Sequence, residues 1–257
     1  MTRHLAATAA AAAVVAIVAA SPAAWARQTR STAIIGLTKV ELDGRTIDCY
    51  ISKPKGEGTW PGLVLAHDRM GVDIDTKRLA DRLAAEGFVV MAPDLYHGRV
   101  ALDADKGREL ATVLDENEAA LLLAETAGHL KFLPELGNHR VGLIGFDLGG
   151  RLVLLAGTRS TDVSAVAAVY GRPITDSDSL RRINVPIMAV FGELDDQIPQ
   201  EQVKTFKEAM DKAGRTSIVK ILPGAGHGFM KQTGETFKPD ATNEAWPALI
   251  AFLKGTL

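Results

Sequence analysis

The six residues Gly145-Phe146-Asp147-Leu148-Gly149-Gly150 constrain this chain more than any others. They end the apolar run Val141 to Phe146 and open a small-residue segment with helical periodicity, so a buried strand must turn abruptly into a helix. Only small residues fit beside the tip of so sharp a turn. The tip side chain is thrust out at the end of the sheet, as nucleophiles are in the pattern Gly-x-Nuc-x-Gly. Here the tip is Asp147, neither Ser nor Cys. Its carboxylate reads either as a nucleophile, or the remnant of a nucleophile site, or as a simple N-cap of the helix that starts near Leu148.

The pattern on both sides of this turn is a regular alternation. Thr38 to Ser52 holds Asp43-Gly44 between two strand-like runs, a hairpin signal and the expected antiparallel edge of a sheet. Short apolar runs follow at Gly62 to Ala66, Phe88 to Ala92, Val141 to Phe146, Ala165 to Tyr170, Ile187 to Phe191 and Ser217 to Leu222, each bounded by Gly, Pro or polar residues. Helical periodicity fills the intervals at Thr76 to Glu86, a long stretch from about Asp103 to Phe132, Leu148 to Thr158 and Gln200 to Ala213, with a last helix at roughly Asn243 to Leu253. Strand and helix in alternation imply right-handed crossovers and a mostly parallel, doubly wound sheet in a three-layer α/β domain. Its functional site belongs at the carboxyl ends of the strands, where the loops bearing Asp68, Asp147, Asp195 and His227 converge.

Two later segments follow the turn in the chain order that such sites use, acid then histidine. In GELDDQIP (Gly192 to Pro199), Asp195 directly follows the strand and is the preferred acid, whereas Asp196 reads as a solvated turn charge. In GAGHGF (Gly224 to Phe229), His227 stands between two glycines just after a strand, the position of a general base oriented by a carboxylate. His4, His97, His129 and His139 have no such setting. The loop Ala66-His67-Asp68-Arg69-Met70-Gly71 is placed to give one backbone N–H to an oxyanion hole, and the residue after the tip gives the other, so the donors are Arg69 and Leu148. Asp68 reads either as a carboxylate close to Asp147, in which case one of the two holds a proton, or as a cap for the helix near Thr76.

Composition narrows the partners. With 29 basic and 31 acidic residues the net charge is −2, which gives no electrostatic case for nucleic acid or an anionic membrane and leaves a small-molecule substrate. No Cys/His cluster or calcium-loop frame points to a metal, and no cofactor is implied. Residues 1–26 read as a signal peptide: Arg3 and His4 form a basic start, Leu5 to Ala20 an Ala-rich apolar stretch, and Ala24-Trp25-Ala26 a small-x-small cleavage site. The stretch is short and weakly apolar for an anchor. The expected product is a secreted or periplasmic single domain, residues 27–257, with no stable membrane insertion after processing. Cys49, the one cysteine, can form no intramolecular disulfide and reads as a half-buried structural thiol.

On these motifs the chain resembles the dienelactone hydrolase family. The resemblance runs through GLVLAHDRMG, RLADRLAAEGFVVMAPDLYHGR, VGLIGFDLGGRL, FGELDDQIP and LPGAGHGFM, nearly all of the sequence after residue 26. It implies an α/β-hydrolase fold without a cap domain, a nucleophile at Asp147, its acid at Asp195 and its base at His227. It also implies that Asp68 stands where such enzymes have Glu, and that Arg99 and Lys231 lie near positions that bind the carboxylate of an acidic lactone. The chain departs from the pattern in carrying Asp for the usual Cys or Ser, Asp68 for the Glu, and Lys231 where a planar Arg fork is expected.

Three chemistries are compatible with an Asp at the tip. Asp147 attacks an sp³ carbon, as in haloalkane dehalogenases and epoxide hydrolases, which carry a cap for which Gly171 to Val185 leaves no room. Asp147 serves as a base on water beside His227 in an ester or lactone hydrolase. Or the site is attenuated and binds a small molecule without turnover.

Overall fold

The computed structural model describes residues 33–257, so the signal-peptide reading of residues 1–26 lies outside the described residues. The strands are β1 (Ala33–Leu42), β2 (Arg45–Pro54), β3 (Gly62–Ala66), β4 (Val89–Pro93), β5 (Val141–Phe146), β6 (Val163–Val169), β7 (Ile187–Gly192) and β8 (Ser217–Leu222). They form one eight-stranded sheet in the order β1-β2-β4-β3-β5-β6-β7-β8. The hairpin β1–β2 turns at Asp43 and Gly44, both at positive φ as a two-residue primed turn requires. β2 pairs antiparallel with β4, and every pairing from β4 to β8 is parallel.

Among the described residues, seven α-helices complete the layers: α1 (Ile74–Ala85), α2 (Ala104–Val113), α3 (Glu116–Lys131), α4 (Leu148–Gly157), α5 (Ser177–Leu180), α6 (Gln200–Ala213) and α7 (Pro239–Thr256). One face of the sheet packs on α3, α4, α5 and α6, and the other on α1 and α7. Central strands are therefore buried along their whole length, which is why β3, β4, β5 and β7 read as unbroken apolar runs. Strand order reverses at β3, so a crevice opens at the carboxyl ends of the adjacent β3 and β5. The loops carrying Asp68 and Asp147 leave the sheet there.

The stretch Asp103 to Phe132 is two helices, not one. Leu114 is extended (φ −74°, ψ 129°), and Asp115 caps α3 by accepting from the amides of Asn117 and Glu118. The segment Asp115-Glu116-Asn117-Glu118 carries the Asp-x-x-Glu signature of such a start within the helical run. The break matters for the site, because it lets α2 lie across Met70 and Leu148. On α2, Gly107 leaves the room that the stem of Arg69 takes up. The last helix also begins earlier than its periodicity implies, with Pro239 in its first turn.

Candidate active site

Asp147 is held at φ 53° and ψ −117°, a conformation that costs a non-glycine residue on the order of 1–3 kcal/mol. The surroundings impose it. A Cβ added at Gly145 would overlap the carbonyl oxygen of Gly149, and one added at Gly149 would overlap that of Ala66. The elbow is thus intact, glycines and strain included, with a carboxylate at its tip. The Asp147 side chain makes no cap hydrogen bond to α4, which removes the helix-cap reading. Among the described residues, neither the Arg69 nor the Leu148 amide donates to a protein acceptor, so both N–H groups assigned to an oxyanion are uncommitted.

His227 bridges the two predicted carboxylates. Its Nδ1 lies 2.9 Å from Asp195 Oδ2 and its Nε2 3.1 Å from Asp147 Oδ1. Asp195 is fully buried at its side chain and is anchored by the amides of Gln197 and Ile198, both donating to Oδ1 at 2.9 Å, while Asp196 is exposed. Behind the imidazole sits Tyr170, ring against ring at 5.4 Å. Burial alone would make His227 harder to protonate, yet its bonds to Asp147 and Asp195 overcome that and push its pKa up to about 9. At neutral pH it is an imidazolium between two carboxylates.

Arg69 adds a partner that the sequence did not disclose. Its backbone was the expected contributor, but its guanidinium also grips Asp147, with Nε donating to Oδ2 at 2.5 Å and Nη2 to Oδ1 at 2.6 Å, and Nη2 reaches Gln197 Oε1 at 2.8 Å. Burial of Asp147 raises the cost of its charge, but the Arg69 and His227 bonds outweigh it and hold the carboxyl below its ordinary range. Seventy-eight residues separate the pair. No local pattern announces it.

Asp68 does not cap α1, a place taken by Asp73, whose side chain accepts from Thr76 N. Its Oδ1 accepts from Met70 N at 2.8 Å and its Oδ2 meets Lys231 Nζ at 2.7 Å. Burial thus raises the pKa of the Asp68 carboxyl, which pairs with Lys231, whereas at Asp147 burial is outweighed by Arg69 and His227, which lower it. Arg99 stays exposed on the rim, its Nε donating to the Tyr96 carbonyl, and among the described residues no bond joins it to Lys231. His67 is buried and neutral: Nδ1 donates to the Asp68 carbonyl, Nε2 accepts from Leu95 N, and burial lowers its pKa. Cys49 is buried deeper than expected, and burial raises its thiol pKa to about 12, so it is inert. Among the described residues no group of three or more His, Cys, Asp or Glu side chains is arranged to hold a metal ion.

A doubly wound sheet, a strained elbow at its switch point and a histidine shared with a buried acid define an α/β-hydrolase without a cap. The chain belongs to the dienelactone hydrolase family, whose model matches residues 47–257. It is 30% identical over 226 residues to "Protein usf" of Aquifex pyrophilus, covering 85% of this chain and 97% of that one. It is 26% identical over 244 residues to the protein of Escherichia coli K12 named "Putative carboxymethylenebutenolidase", covering 88% of this chain and 89% of the relative. Among solved structures it is similar to a dienelactone hydrolase-like promiscuous phosphotriesterase from metagenomic libraries, with a TM-score of 0.75 at 20% identity, covering 86% and 98% of the two chains. By family the protein is a hydrolase of the ester and lactone class.

Proposed function

We propose that the protein hydrolyses small carboxylic esters or lactones by direct attack of water, with His227 as the base, Asp147 placing the water beside it, and the Arg69 and Leu148 amides receiving the oxyanion. The observation that carries this reading is the His227 bridge between Asp195 and Asp147. Attack by Asp147 itself on an ester would form an anhydride, an uphill product, and both its oxygens are already engaged by Arg69 and His227. Water placed against the Asp147–His227 edge needs only to lose a proton to the imidazole, while Asp195 orients the ring. Two uncommitted amides at the elbow favour an acyl substrate over an sp³ carbon, because they suit a tetrahedral oxyanion.

This mechanism has a built-in pH dependence. A base with a pKa of about 9 is neutral in roughly one molecule in a hundred at pH 7. kcat/KM for p-nitrophenyl acetate should therefore rise about tenfold per pH unit and level off near pH 9. His227→Ala should lower it by roughly 10² or more. A single turnover in ¹⁸O-water should label the product acid and leave Asp147 unlabelled; label on Asp147 means covalent attack and ends the water mechanism.

The Arg69 clamp favours a second reading, a catalytically attenuated member that binds a small molecule. It predicts saturable ligand binding and no His227-dependent turnover at any pH. In either case we read residues 1–26 as an export signal and place the mature protein, secreted or periplasmic, in the single domain 27–257.

A further inference from the structure

A cleft of about 750 Å³ lies on the side of the sheet covered by α4, α5 and α6, and neither Asp147 nor His227 lines it. It runs along α4 from Arg151, one turn past the elbow, to Arg159 just beyond the helix, about 18 Å from the level of Asp147 at about 1.5 Å per residue. Its far end is therefore apart from the reacting centre.

Four arginines reach the cleft from separate stretches of chain: Arg151 on α4, Arg159 after it, Arg172 after β6 and Arg182 after α5. Arg151 and Arg172 share one carboxylate, that of Glu116, at 3.2 Å and 2.7 Å. Arg159 and Arg182 are held by neutral acceptors alone. Arg159 donates to Asn117 Oδ1 at 2.5 Å and to the Leu155 carbonyl at 3.4 Å, and Arg182 donates to Ser179 Oγ at 3.0 Å. The two acids in the walls have other duties: Asp176 caps α5 by accepting from the amides of Asp178 and Ser179 and acts on Arg182 at longer range, and Glu201 lies 3.7 Å from Lys204. Among the described residues neither Arg159 nor Arg182 forms an ion pair, and the side chains of Thr175 and Gln202, also in the walls, hold no hydrogen bond.

What the cleft leaves uncommitted is two guanidinium charges, one hydroxyl and one amide, in a volume within the range of small-molecule sites. Two cations without a carboxylate call for a dianion, and the planar fork of each suits the oxygens of a phosphate. The chain as a whole carries a net charge of −2, so these arginines are a local concentration and not a general basic character. We propose that this cleft binds the phosphate monoester of a small hydroxylated molecule, with the phosphate taken by Arg159 and Arg182 and the hydroxyls by Thr175 and Gln202. The inference does not depend on the ester and lactone reading and stands whether or not the elbow turns over an ester.

Calorimetric titration of the full chain with glucose 6-phosphate near pH 7.5 should show one saturable site, and glucose should show none. Arg159→Gln and Arg182→Gln should each weaken binding about tenfold. Both side chains are exposed, so the variants should unfold at the wild-type temperature when no ligand is present, and the sugar phosphate should raise that temperature in the wild type more than in either variant. Arg182→Lys should recover part of the loss, because an ammonium keeps the charge without the fork. Binding should also weaken as pH falls below about 6, where the phosphate takes up its second proton. Inorganic phosphate should bind about tenfold more weakly than glucose 6-phosphate; equal or tighter binding of free phosphate overturns the assignment of a hydroxylated ligand. No saturable binding, binding unchanged in both glutamine variants, or competition of the sugar phosphate with p-nitrophenyl acetate at the elbow overturns the site itself.

Discussion

Asp147→Asn keeps the shape of the elbow side chain and removes one of the two carboxylates that hold His227. The imidazole pKa stands at about 9 against an ordinary 6.5, and burial pulls it the other way, so the carboxylates together supply more than the difference, 9 − 6.5 = 2.5 pH units. Their contacts are similar, 3.1 Å for Asp147 and 2.9 Å for Asp195, so each accounts for more than about one unit. The substitution should therefore lower the His227 pKa by on the order of one unit, on the order of 1 kcal/mol of lost pairing. Arg69, deprived of its carboxylate, pushes in the same direction. Following the His227 ring proton by NMR across pH 5–10 measures this in both proteins. A variant in which His227 still titrates within about 0.3 unit of the wild type would refute the account of the bridge. Stability supplies an independent check. Because the folded value lies above the unfolded one, the contribution of His227 is complete below pH 6.5 and is lost as pH rises through about 9. The wild type should lose about 3 kcal/mol of unfolding free energy to this group over that window, and Asp147→Asn about half as much.

Asp147→Ser or Asp147→Cys should place a nucleophile where His227 can serve it and yield an acyl-enzyme burst with activated aryl esters, lost again when His227 is also replaced; no burst in a folded variant would mean that the amides or the imidazole are misplaced. Gly149→Ala forces a Cβ into the Ala66 carbonyl and should cost about 3 kcal/mol or more in chemical unfolding, so a variant of unchanged midpoint would contradict the close approach at the elbow. Exported protein should begin at Arg27 on N-terminal sequencing, and material that begins at Met1 would remove the signal-peptide reading.

Much of this protein was legible in its sequence because the relevant signals are local. Unbroken apolar runs exist where strands are buried on both faces, and glycines at 145 and 149 exist because no Cβ fits beside so sharp a turn. Chain order alone placed Asp195 and His227 on the loops that meet Asp147, and the helix Gln200–Ala213 was readable to the residue because its amphipathic stripe ends at Gly214 in the left-handed region. The break at Leu114 was local too, but the Asp115 cap lay hidden within a continuous helical pattern.

What tertiary structure alone decided is the electrostatic state of the site. Arg69 and Asp147 lie 78 residues apart and His227 another 80 beyond Asp147, and their mutual distances depend on how β3, β5 and β8 are ordered in the sheet. A sequence names the charged groups, but charge interactions depend on separation and burial, which only the folded chain sets. So Asp147 could be recognised as standing at a nucleophile's place from its neighbours, whereas its being ionised, clamped by Arg69 and facing a protonated His227 is a property of the fold.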